Sequence, residues 1–181
     1  MTSIFGIFHA YKLRIQILME LVALHLENEA LRRSSADGRD QFGRSAFNRY
    51  YYATFISIQR ALRNHRPHWS NNGHAKLPRV LRDDVVKELR ANCDKGKKVG
   101  DREITRLCSD GISAAKALAS ILDEGYAIRV IADYFPDIAV DFVSTKNFKL
   151  NAITVTHAHS WPSRASGFVA ILERAWRQIN A

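Results

Sequence analysis

Apolar residues recur at three- and four-residue steps along most of the chain, and little interrupts them: 181 residues hold only 9 glycines and 4 prolines. That period places one apolar stripe on a helix, and the shortage of breakers leaves the helices long. Turn-rich β-sandwiches and disordered linkers are disfavoured by the same composition. A first helix is expected over about 9–33, where Tyr11, Ile15, Leu18, Val22 and Leu26 mark one face. His25 falls on that face and reads as a packed side chain rather than a ligand. Turn residues at 34–38 end the helix. A second helix covers about 40–63, with Phe47, Tyr51, Thr54, Phe55, Ile58 and Leu62 along one side and Arg44, Arg49, Arg60 and Arg63 around it.

Pro67 and the Asn71-Asn72-Gly73 run make 65–73 a loop. A third helix is expected over 74–91, with Leu77, Val80, Leu81, Val85 and Leu89 inward and Pro78 in its first turn, where a missing N–H costs little. The segment 94–100 reads as a basic, glycine-bearing connector. Asp101 is placed to cap a helical stretch reaching Tyr134, with an interruption expected around 109–111. Phe135-Pro136-Asp137 closes it. Between 138 and 155 helical periodicity fades, and Phe148, Leu150, Ile153 and Val155 suit a short β element near 146–155. A last helix runs over about 156–179, with Trp161, Ala165, Phe168, Leu172, Trp176 and Ile179 at helical spacing. The expected class is all-α: an up-and-down bundle of about five helices, a single domain over 1–181 with an N-terminal helix at 9–33 and a core from about 40 to 180.

No run of 18 apolar residues is available to span a membrane, so no membrane partner is expected. Residues 1–8 are apolar but lack the basic lead-in of a signal peptide, and the cytoplasm is the expected compartment. Cys93 and Cys108 form neither a disulfide framework nor a four-ligand zinc site by themselves. The net charge of +9 points to polyanionic partners, RNA above all, held by phosphate attraction and counterion release.

Polar side chains beyond the needs of a bundle gather in three places. Arg49 and Tyr52 lie three apart on the second helix, within reach of a shared ligand. Arg129 and Asp133, four apart, can pair as a surface ion pair or as a partly buried one that organises a site. Arg60 with His65, and Arg63 with His68, bring a cation and a base together. Metal-independent RNA cleavage needs that combination: one group takes the 2′-hydroxyl proton, the other steadies the phosphorane-like transition state. His74 heads the third helix. Lys97 and Lys98 are candidate phosphate contacts, although the spacing of a P-loop is missing. His157 and His159, two apart, do not share a helix face, so no metal or other cofactor is expected.

In order along the chain, Asn48-Arg49-Tyr50-Tyr51-Tyr52-Ala53-Thr54-Phe55, Gly73-His74, Arg129-Val130-Ile131-Ala132-Asp133-Tyr134 and a final amphipathic helix resemble the HEPN superfamily, in the subset with a Tyr-Tyr helix and an Ala-Asp-Tyr motif. The resemblance covers roughly residues 40–180. It implies a helical bundle that forms homodimers. It also implies work in toxin–antitoxin or anti-phage defence systems, either as a ribonuclease or as a non-catalytic RNA- or nucleotide-binding companion, often beside a nucleotidyltransferase-type partner. Active relatives carry an Arg followed within a few residues by His. Here Asp133 follows Arg129, and an aspartate with an ordinary pKa of about 4 is a poor proton shuttle near neutrality. The expectation is therefore a binding and dimerisation module, with a metal-independent endoribonuclease as the alternative. Catalytic candidates are Arg129, Asp133, His74 and His65; candidates for RNA or nucleotide contact are Arg49, Tyr52, Arg60, Arg63, Lys97 and Lys98.

Overall fold

The computed structural model describes the backbone of residues 4–180 and the side chains of residues 15–180. The chain is all-α in class, a helical bundle carrying a small antiparallel sheet. Its elements are α1 (Ile4–Arg32), α2 (Ala36–His65), a 3-10 turn (Pro67–Asn71), α3 (Leu77–Val80), a π-helical turn (Leu81–Val85), α4 (Val86–Lys98), α5 (Arg102–Tyr134), β1 (Asp141–Ser144), β2 (Asn147–Leu150), β3 (Ile153–Thr154) and α6 (Val155–Ile179). No helix among the described residues is long and apolar enough to cross a membrane. The chain divides into two compact units, one of residues 1–57 with 124–162 and one of 58–123 with 163–181, so α2, α5 and α6 each contribute to both.

In the first unit the expected face of α2 is the buried one: Phe47, Tyr51, Thr54 and Phe55 are all inside. Gly125 lets α5 approach closely, since a Cβ there would stand 2.8 Å from a ring carbon of Tyr51. The sheet is a meander in the order β1-β2-β3, more than the one short element expected. Phe148 and Leu150 alternate inward from β2, and Phe148 meets Phe47 edge-on with ring centroids 5.8 Å apart. Asn151 turns β2 into β3 at φ 55°, a left-handed conformation that asparagine tolerates better than most residues.

The expected face of α1 is not the buried one. Gln16, Ala23 and Ala30, at seven-residue steps, face inward, while Leu18 and Val22 stand out in solvent and His25 is exposed rather than packed. The helix is apolar on more than one side, so periodicity alone cannot select a face, and the small alanines permit closer packing. The Tyr11 side chain, expected on the same stripe, lies outside the described residues. Helix α1 also starts earlier than expected, at Ile4.

In the second unit α3, the π turn and α4 form one helical run over 77–98, with Leu77, Val80, Leu81, Val85 and Leu89 buried as expected and Pro78 in the first turn. The basic connector shrinks to three residues. Gly96 is buried inside α4 against Ile104 and Thr105, and its packing keeps the helix going to Lys98. Asp101 caps α5 through a bond from the Ile104 N–H at 2.9 Å. No interruption occurs at 109–111, because Gly111 packs against Ala175 and Leu89 and is held within α5. Cys93 and Cys108 are free, buried thiols; burial first, then the neighbouring Cys93, pushes the Cys108 thiol pKa up.

Candidate functional site

In the first unit two turns of helix face each other with matched polar groups. Asn48 and Tyr52 are one turn apart on α2; Arg129 and Asp133 are one turn apart on α5. Arg129 Nη2 reaches Asp133 Oδ2 at 2.9 Å, and the Asn48 amide donates to Asp133 Oδ1 at 2.5 Å. Arg129 is also hydrogen-bonded to Tyr52 and Tyr134, and its guanidinium lies 5.4 Å from the Tyr134 ring centroid. With side chains 18% and 27% exposed, Arg129 and Asp133 form the partly buried version of the expected pair. Burial works against the guanidinium's charge, but Asp133 and the two tyrosines outweigh it and raise the Arg129 pKa. Arg129 Nε and Asn48 Oδ1 remain buried without partners among the described residues. Orphaned polar atoms of this kind are uncommon in a purely structural network.

Arg44, one turn before Asn48, sets the end of α5. Its Nη1 donates to the carbonyls of Ile131, Ala132 and Phe135, and its Nη2 to those of Pro136 and Ile138. Two of these carbonyls lie in the last turn of α5, and Ile131 and Phe135 also accept from the N–H groups of Phe135 and Ile138, so Arg44 joins the helix end to the turn that follows it. Asp40 holds Arg44 Nε and accepts the Val140 N–H at 2.7 Å. One half-buried arginine thus fixes both the last turn of α5, where Asp133 and Tyr134 sit, and the entry to the sheet.

A second polar cluster in this unit escaped sequence reasoning. The buried Tyr50 hydroxyl donates to Glu27 Oε2 at 2.5 Å, and His159 Nδ1 lies 3.1 Å from that hydroxyl and 3.3 Å from the carboxylate. The rings of Tyr50 and His159 stack at 5.1 Å. Burial, then the bond to Glu27, pushes the Tyr50 pKa far upward, so the phenol keeps its proton. The carboxylate is nearly enclosed at 13% exposure while the imidazole is 52% exposed, so two enclosed oxygens fix the orientation of a half-exposed ring. Beside it, Glu124 accepts Trp161 Nε1 and pairs with His157 Nε2, both at 2.7 Å. Glu27 and His159 are 132 residues apart, and only the fold brings them together.

The remaining candidates are dispersed. Arg49 is exposed and reaches Met19 Sδ at 3.9 Å. In the second unit, Arg60 has a buried, unpartnered Nη1, and Arg63 Nε donates to Ser70 Oγ at 3.2 Å. His65 packs on Trp176 with ring centroids 4.9 Å apart; burial first, then Arg177, lowers its pKa to about 4, so the ring is neutral at neutral pH. His68 is exposed beside the Trp69 ring, and His74 is half-buried in the turn before α3. Lys97 and Lys98 are exposed in the last turn of α4, Lys97 next to Asp94 at 3.4 Å. Arg49, Tyr52, Arg129 and Asp133 thus belong to one unit, and His65, His74, Arg60, Arg63, Lys97 and Lys98 to the other. Among the described residues no group of three or more His, Cys, Asp or Glu side chains is placed to hold a metal ion. No protein-family model, curated protein or solved structure matches the chain.

Proposed function

We propose that this chain is a HEPN-like module of a toxin–antitoxin or anti-phage defence system, which associates with RNA or nucleotide in the cytoplasm and dimerises rather than cutting its ligand. The observation that carries this reading is the commitment of Arg129: its charge is met by Asp133 and by two tyrosine hydroxyls. An arginine so engaged is a poor electrostatic partner for a developing phosphorane, and the neutral, packed His65 is a poor proton carrier. The charge of +9 supports a phosphate-bearing partner. A nucleotidyltransferase-type or other protein partner belongs to the same reading.

Dimerisation draws support from α1. Ile17, Leu18, Leu21, Val22 and Leu24 form two adjacent rows on its outer side, each between 40% and 58% exposed. Half-exposed side chains of this size leave on the order of 400 Å² of apolar surface, comparable to patches that mark interaction sites. Two such faces packed against each other about a two-fold axis would bury roughly 800 Å² of apolar area, close to the apolar share of a standard-sized interface. The occupant is a second copy of the chain.

A second reading, a metal-independent endoribonuclease, draws on the imidazole of His159 held by Glu27 and Tyr50. Incubation of the protein with mixed RNA in excess EDTA separates the two. RNA retained intact supports the binding module. Cleavage lost in His159→Ala or Arg129→Ala would replace it with the nuclease.

A further inference from the structure

In the first unit a cavity of about 380 Å³ opens between the first turns of α2 and the chain that leads into β1. Pro136, Ala139 and Val140 make its apolar wall. Arg39 reaches across from α2 and sets its guanidinium over the Phe142 ring, 3.6 Å from the centroid. That is van der Waals contact, so the ring covers one face of the guanidinium and pins it. The charge itself is unanswered: Arg39 has no ion-pair partner among the described residues, and its Nε is buried without a hydrogen bond. The adjacent carboxylate is already engaged, since Asp40 holds Arg44 Nε and accepts the Val140 N–H at 2.7 Å. Asp37 lines the same cavity, but residues two apart on a helix do not face each other, and no ion pair joins it to Arg39. Gln41, one turn after Asp37 on the same face, lines the cavity too. Neither Asp37 nor Gln41 makes a side-chain hydrogen bond among the described residues.

The cavity therefore offers one free cation held in place, one free anion with an amide beside it, and an apolar wall. A ligand matching that set carries a carboxylate and an ammonium on one small frame, with an apolar group attached. We infer that this cavity binds a free apolar α-amino acid, with Arg39 on the carboxylate, Asp37 and the Gln41 carbonyl on the ammonium, and Pro136, Ala139 and Val140 against the side chain. A peptide terminus supplies only one of the two charges, so the pair selects the free amino acid. A nucleotide fits poorly, because Arg39 already covers the Phe142 ring and a phosphate would meet the unpaired Asp37. The volume lies at the small end of ligand pockets, as a single amino acid requires. The site shares neither residues nor ligand class with the proposed function, and retention of RNA tests that function separately.

The test is calorimetric titration of the whole protein with leucine, glycine, leucinamide and N-acetylleucine, repeated on the Arg39→Gln and Asp37→Asn variants. Leucine should bind saturably, one to one. Leucinamide lacks the carboxylate and N-acetylleucine the ammonium, and each should bind roughly tenfold more weakly, as loss of one charge-assisted contact does. Glycine should fall behind leucine by roughly tenfold as well, through the lost apolar contact. Arg39→Gln should close the gap between leucine and leucinamide, and Asp37→Asn the gap between leucine and N-acetylleucine. A melting curve checks that each variant folds, and the comparison of the four ligands on the wild type needs no variant. The inference is overturned by the absence of saturable leucine binding up to about 10 mM, weaker than any specific affinity of use. Equal binding of leucine and either blocked analogue, or gaps that survive both substitutions, overturns it as well.

Discussion

The amide of Asn48 on α2 donates to Asp133 on α5 at 2.5 Å, and the opposite oxygen of that carboxylate holds Arg129 at 2.9 Å. Asp133 is thus the hinge pin of the candidate site, joining two helices and satisfying a half-enclosed guanidinium. Asp133→Ala leaves Arg129 without its counter-charge in a partly buried position and should cost about 1–3 kcal/mol. Asp133→Asn keeps hydrogen-bonding capacity and should cost less. Urea unfolding of the two variants measures the difference; equal losses would show that charge pairing at Asp133 is irrelevant to the fold.

Arg44 closes five carbonyls at and beyond the end of α5 while only 11% exposed. Arg44→Ala should destabilise by about 1–3 kcal/mol, because it removes five part-buried or exposed bonds at once and leaves the Asp40 carboxylate without its counter-charge. Arg44→Lys should rescue little, since a single ammonium cannot reproduce the planar fork. Hydrogen exchange should show the loosening concentrated at 128–140, and protection unchanged there would count against the clamp.

His65 carries a pH signature. Its pKa falls from 6.5 to about 4 on folding, through burial and then Arg177. Above pH 6.5 the ring is neutral in both folded and unfolded chains and contributes no pH dependence. As pH falls from 6.5 towards 4 the unfolded chain takes up a proton that the folded chain refuses, so stability declines, and below 4 the loss levels off. The full shift corresponds to about 3 kcal/mol, reduced to roughly 1–2 kcal/mol by the ring's partial exposure. His65→Phe keeps an aromatic contact with Trp176 and should remove this part of the decline. Parallel stability curves for the two proteins across that window would contradict the assignment.

The outer face of α1 should hold two chains together. Light scattering at micromolar concentration is expected to give twice the chain mass for the wild type and the chain mass for Leu21→Glu, with unchanged helicity. A monomeric wild type would remove the dimer from the proposal.

The helices were legible in the sequence because tertiary packing obeyed their periodicity: Phe47, Tyr51, Ile58 and Leu62 on α2, or Trp161, Leu172 and Trp176 on α6, are buried where the spacing placed them. Periodicity failed on α1, where apolar residues surround the axis and alanines won the interior. It also failed at Gly96 and Gly111, whose role is close packing inside a helix rather than interruption. Within the candidate site, the Arg129–Asp133 pair was visible as an i,i+4 spacing, and its alliance with Asn48 was not, because the partners are 85 residues apart. The same separation in sequence hid Glu27, Tyr50 and His159. A lone histidine two residues from another carries no local sign that a carboxylate from α1 will meet it.

On the proposed function, the protein holds RNA through phosphate contacts and leaves it whole. Filter retention of a labelled single-stranded RNA in EDTA, repeated between about 50 and 200 mM salt, tests it most directly, since several phosphate contacts cost at least an order of magnitude in affinity over that range. A steep, linear fall of log affinity with log salt is expected, with full-length RNA recovered at every point. Affinity flat with salt, or RNA recovered in fragments, would contradict it.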